Sequence, residues 1–133
     1  MILERCDIIA SLLHRFREKL PDIQQMLRDR LSDKSQELSI ELDKDRLEQE
    51  ILLLVQKSDV AEELDRLEAH LGEVRQVVQK NEPVGRRLDF LMQEMNREAN
   101  TLGSKAANLD YTNTSVDLKV LIEQMREQIQ NIE

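Results

Sequence analysis

The stretch PVGRRLDFLMQEMNREANTLGSK, residues 83–105, decides the fold. It opens on Pro83-Val84-Gly85 and closes on Gly103-Ser104, and both ends read as helix stop signals. Between them Leu88, Leu91, Met92, Met95, Ala99 and Leu102 recur at spacings of three and four. That period places one apolar stripe along one side of a helix spanning residues 86–102.

The polar residues around the stripe are unusual. Lys and Glu, strong helix formers, would fill a merely solvated face. Here Gln93, Asn96, Asn100 and Thr101 stand among them, and Asn and Thr are mediocre helix formers. At about 100° per residue the polar positions split into two flanks. Arg87, Glu94, Glu98 and Thr101 lie on one, and Asp89, Gln93, Asn96 and Asn100 on the other. Glu94 and Glu98 are four apart, so their carboxylates meet over one turn and repel unless something positive sits between them. Two readings stay open. Arg87, Arg97 and Lys105 neutralise the pair as ordinary surface partners, or the pair belongs to a divalent-metal or phosphate site.

Composition points the same way for the fold. The chain has 133 residues, 40% hydrophobic and 35% charged, with two Phe, one Tyr, no Trp, three Gly and two Pro. That balance favours long helices and disfavours a sandwich or barrel. The expected fold is all-α. Residues 1–133 form a single helical domain, an elongated bundle of long antiparallel helices completed by oligomerisation, because so thin a bundle leaves apolar seam in need of a partner. Cys6 is the only cysteine, so no internal disulfide framework exists, consistent with a reducing compartment. No apolar run approaches the ~18 residues of a membrane span. The net charge of −8 excludes nonspecific nucleic-acid binding through the whole surface.

Taken in order, Ile2, Cys6, Ile9, Leu13, Phe16, Leu20, Ile23, Leu27 and Leu31 recur at spacings of four and three, a seam over residues 2–31. Pro21 falls inside it and predicts a kink or break near Lys19–Leu20, with the unbroken phase favouring a kink. His14 lies off the seam and reads as a surface residue. Residues 32–42 weaken the pattern and read as a connector. Asp43 opens a helix over 43–57 carrying Leu47, Ile51, Leu54 and Val55, and Ser58 or Asp59 caps the next, over 59–80. Val60, Leu64, Leu67, Leu71, Val74 and Val78 form its seam. Asp59, Glu63, Arg66 and His70 make a polar stripe along one edge. Glu63 and His70 are two turns apart, about 11 Å, too far to chelate one ion alone. A facing helix would have to complete a site, or the stripe is a row of local ion pairs. The turn at 81–85 makes helices 59–80 and 86–102 an antiparallel hairpin, which brings that stripe toward Glu94 and Glu98 without fixing which residues line up. Residues 103–115 read as a polar connector. A last helix over 116–131 uses Leu118, Leu121, Ile122, Met125, Ile129 and Ile132 to close the bundle or a subunit interface.

Three blocks in this order, SDVAEELDRLEAHL (58–71), residues 83–105 and DLKVLIEQMREQIQNIE (117–133), resemble the YicC-like family of bacterial stress-associated endoribonucleases. That family's chains are longer and begin with a separate β-containing half, so the resemblance implies a C-terminal half. It also implies cleavage of RNA phosphodiester bonds by a cytoplasmic homo-oligomer, with neither membrane nor DNA as partner. The sequence holds no P-loop, CxxC pair, Gly-rich cradle or nucleophile triad, so the enzyme assignment rests on the resemblance. Carboxylates and a neutral His suit Mn²⁺ or Mg²⁺, and such an ion activates water and offsets charge on phosphate. Within the family-like blocks Glu63, His70, Glu94 and Glu98 are the candidates for metal binding, with His70, Glu94 and Glu98 also catalytic candidates. Arg86, Arg87, Arg97 and Lys105 are candidates for phosphate contact, and Gln93, Asn96 and Asn100 for orienting RNA or holding the hairpin together. The alternative is a non-catalytic helical oligomerisation or partner-binding module.

Overall fold

A computed structural model describes residues 1–37, 44–57, 59–80, 84–105 and 109–132. These form five helices: α1 (Ile2–Glu37), α2 (Lys44–Lys57), α3 (Ala61–Val78), α4 (Gly85–Ser104) and α5 (Leu109–Ile132). Among the described residues there is no strand.

Four of the helices close a ring. α1 packs on α3 and α5, α4 packs on α3 and α5, and α2 packs on α1 alone. Cross-helix contacts show the neighbouring pairs of the ring to be antiparallel. Arg5 Nε donates to Gln124 Oε1 at 3.0 Å, and Phe16 meets Tyr111 edge-on at 5.1 Å, so α1 and α5 run oppositely. Arg75 with Asp7 and Arg17 with Asp65 give the same sense for α1 and α3. Arg87 with Glu73 and Lys105 with Glu63 give it for the α3–α4 hairpin.

The seams fill the interior. Ile2, Cys6, Ile9, Leu13, Phe16, Ile23 and Leu27 of α1 are buried with Leu64, Leu67, Leu71 and Val74 of α3. Leu88, Leu91, Met92, Met95, Ala99 and Leu102 of α4 join them, as do Leu118, Ile122, Met125 and Ile129 of α5. Each large aliphatic side chain so removed from water contributes about 1.5–3 kcal/mol. The α1 seam is therefore buried within one chain, where α1 packs on α2, α3 and α5. Cys6 packs as a small hydrophobe, its thiol 4.0 Å from the Met125 sulfur and its pKa pushed up by burial.

Several boundaries differ from the sequence expectation. α1 runs unbroken through Pro21 to Glu37, so residues 32–37 are helix and not connector. The cap expected at Ser58 or Asp59 moves. Val60 is the N-cap and makes no side-chain cap, while Asp59 Oδ1 accepts the Ala61 N–H at 3.0 Å. Ser58, Asp43 and Pro83 lie outside the described residues. Gly103 does not end α4; it sits inside the helix where α5 crosses closely. A Cβ there would stand 2.6 Å from Ser115 Oγ, and that hydroxyl donates to the Ala99 carbonyl at 2.7 Å. The glycine is thus a contact residue, not a stop signal. α5 begins at Leu109, and Tyr111 and Ser115 of the expected connector are buried in it.

Candidate functional site

The antiparallel hairpin sets the register that the sequence left open. Along one edge of α3 stand Glu63, Arg66 and His70. The facing edge of α4 carries Glu94, Arg97, Glu98 and Thr101. Together they line one cleft of about 530 Å³. His70, Glu94 and Glu98 each place one donor atom within 4.8 Å of the others. A small divalent ion bound at about 2.1 Å holds its donors no more than about 4.2 Å apart. Donors up to 4.8 Å apart would need only small rotamer adjustments to reach that spacing. One imidazole and two carboxylates form a donor set suited to such a cation.

Burial singles these carboxylates out. Glu98 is 5% exposed and Glu63 4% exposed, whereas His70 and Glu94 are half-buried. One oxygen of each buried carboxylate, Glu98 Oε2 and Glu63 Oε2, has no hydrogen-bond partner among the described residues. A buried acceptor left unpaired costs about 1–3 kcal/mol, more if charged. Two of them in one cleft mark a place where the protein alone does not complete the polar network.

Glu63 shares the cleft but stands outside the trio. Its Oε1 accepts from Lys105 Nζ at 2.9 Å, and the same ammonium donates to the Asp59 carbonyl at 2.9 Å. Lys105 therefore ties the end of α4 to the start of α3. Of the residues expected to contact phosphate, Arg97 lines the cleft, exposed. Arg87 pairs with Glu73 and stacks 5.7 Å over Phe90. Arg86 lines a separate groove with Asp89 and Arg126. Gln93 donates to Asp89 at 3.2 Å, and Asn96 and Asn100 are exposed; none of the three lines the cleft. Arg66 also lines it, a residue the sequence placed on the same edge stripe without assigning it to phosphate. Its ion-pair partner is Glu62, at 3.6 Å on the exposed side, and not Glu63, which pairs with Lys105. The signal for Arg66 was its place between Glu63 and His70 on one helical edge.

The sequence comparisons identify the family. Residues 16–133 match the family described as endoribonuclease YicC-like, C-terminal. Among curated proteins, the chain is 51% identical over 133 residues to a probable endoribonuclease YicC of Haemophilus influenzae, covering all of this chain and 46% of that protein. It is 37% identical over 132 residues to a probable endoribonuclease YicC of Clostridioides difficile, covering 97% of this chain and 45% of that one. The chain thus spans about half the length of these relatives. With the family matched over most of its length, the chain belongs to the YicC-like endoribonuclease family, in the part that forms its C-terminal domain.

Proposed function

We propose that this chain carries the cation-binding centre of a metal-dependent endoribonuclease that hydrolyses RNA phosphodiester bonds. The observation behind the proposal is the meeting of His70, Glu94 and Glu98 within 4.8 Å beside buried, unpaired carboxylate oxygens. These three residues would hold Mn²⁺ or Mg²⁺. Such an ion, when bound, activates water and offsets the charge that develops on phosphate.

The chain's own residues do the rest. Arg97 and Arg66 stand at the cleft and would hold the phosphodiester through their guanidinium forks. They supply local positive charge on a chain whose net charge is −8, so RNA binds at this cleft and not over the whole surface. The Lys105–Glu63 bridge fixes the open end of the hairpin and so the spacing of the two edges. We also infer, from the family, that the working protein is a cytoplasmic homo-oligomer. Leu52 and Leu53 on α2 and Val116 and Val120 on α5 are exposed apolar side chains available to such contacts. The mass of the purified protein in solution tests that inference, and a monomer at micromolar concentration contradicts it.

The test of the activity is cleavage of a labelled structured RNA with Mn²⁺ or Mg²⁺, then with chelator. Chelator-sensitive cleavage that disappears in Glu98→Gln supports the proposal. Cleavage unchanged by both chelator and Glu98→Gln removes the cation from the mechanism. A chain that binds neither cation nor RNA favours the non-catalytic helical module.

A further inference from the structure

Resting on the endoribonuclease reading above, we propose that Glu63 is the proton acceptor for the attacking water, acting from outside the set of cation ligands. Three observations carry this. Glu63 is buried, and its Oε1 is held by Lys105 Nζ at 2.9 Å. That contact fixes the carboxylate and leaves Oε2 as its only free acceptor. Oε2 is fully buried yet has no partner among the described residues, and Glu63 lines the cleft that holds His70, Glu94 and Glu98. Glu63 is not among the side chains whose donor atoms gather within 4.8 Å.

A buried acceptor is stable when something donates to it. The cleft has room for water, and water is the reactant that hydrolysis requires. The helical register sets the geometry. Glu63 lies seven residues, about two turns, from His70 on the same edge. Arg66 and the facing Glu98 lie between those two levels of the hairpin. In this proposal a water seated between the trio and Glu63 has that carboxylate as its acceptor on the side away from the trio.

The step balances as follows. The water oxygen forms the new bond to phosphorus. The bond from phosphorus to the leaving ribose oxygen breaks with its electron pair. The water proton passes to Glu63 Oε2, and the leaving oxygen takes a proton from bulk water. Lys105 keeps the receiving carboxylate in place and is a positioning residue.

Glu63→Gln separates this role from ligation. Its amide oxygen still accepts from Lys105, while its NH₂ stands where Oε2 was and cannot accept a proton. Mn²⁺ binding is followed by the paramagnetic resonance signal of free Mn²⁺, alongside RNA cleavage at saturating Mn²⁺. The expected variant keeps wild-type Mn²⁺ affinity and wild-type KM for RNA, while kcat falls about 100-fold or more. His70→Ala, by contrast, loses Mn²⁺ binding. Loss of Mn²⁺ binding in Glu63→Gln overturns the proposal, since Glu63 would then act at the cation. Wild-type kcat in Glu63→Gln also overturns it. Absence of Mn²⁺-dependent cleavage both from the wild-type chain and from the longer Haemophilus influenzae relative overturns the endoribonuclease reading and the proposal together, a result distinct from either of the others.

Discussion

The two edges of α3 carry similar residues and differ in what those residues meet. On the edge facing α1, every acid has an arginine. Arg17 bridges Asp65 and Glu68 at 2.7 Å each, and Arg75 reaches Asp7 at 2.8 Å. The Glu68 hydrogen bond holds the Arg17 guanidinium still more firmly protonated. These pairs sit in water, where each is worth about 0–1 kcal/mol. On the edge facing α4, His70, Glu94 and Glu98 meet one another, and Glu63 and Glu98 each bury an oxygen with no partner. The first edge is a solvated fastening. The second buries carboxylate oxygens that the described residues leave unpaired, and the proposed cation centre rests on that difference.

The largest expected effect lies on the α4 edge. Glu98→Gln should weaken Mn²⁺ binding by about 100-fold or more, since even residues supporting metal ligands cost 10–100-fold when replaced. Arg17→Ala on the opposite edge should leave Mn²⁺ binding unchanged. Equal effects from the two variants, in calorimetric titration, would erase the distinction between the edges.

The next effect comes from behind the cleft, where α5 seats α4. Gly→Ala inside a helix ordinarily stabilises by about 0.5–1 kcal/mol. At Gly103 the added Cβ meets Ser115 Oγ at 2.6 Å and Ser115 Cβ at 3.0 Å. Moving that hydroxyl also breaks its bond to the Ala99 carbonyl. Gly103→Ala should therefore destabilise, by about 1–3 kcal/mol in urea unfolding. A gain would mean that α5 stands farther from α4.

A smaller effect sharpens the stability argument. Without divalent cations, Glu98→Met replaces a buried carboxylate by an apolar side chain of similar length. It should stabilise the chain by about 1 kcal/mol and raise its melting temperature. A lower melting temperature would show that Glu98 is satisfied by the protein itself. The smallest effect is that of Arg17→Ala on stability, a loss of no more than about 1 kcal/mol that shrinks further in high salt.

Much of the fold was legible because burial imposes a period. Leu88, Leu91, Met92, Met95, Ala99 and Leu102 form the buried stripe that their spacing predicts, and the α1 seam is buried from Ile2 to Leu27 except at Leu20, which is partly buried. The misread positions are those where tertiary contact overrides local propensity. The Asn, Thr and Asp residues between 108 and 117 suggest a loop. The burial of Tyr111 against Phe16, and the Ser115 bond to α4, make residues 109–115 helix instead. Gly103 reads as a terminator until the approach of α5 is known.

For the site, the edges of the two helices were readable but their register was not. A one-turn slide would have matched Glu94 with a different α3 residue. Arg87 and Lys105 looked alike in sequence, yet each meets an acid of α3 at opposite ends of the hairpin. Which charges line the cleft is a property of the packed pair, and Arg66 and Arg97 could be told from their neighbours only there.

The most direct measurement is an equilibrium titration of Mn²⁺ into the wild-type chain and into His70→Ala, Glu94→Gln and Glu98→Gln. One cation per chain in the wild type, weakened by each replacement, is the predicted result. No binding by the wild type, or binding that all three variants retain, would contradict a cation centre at the α3–α4 cleft.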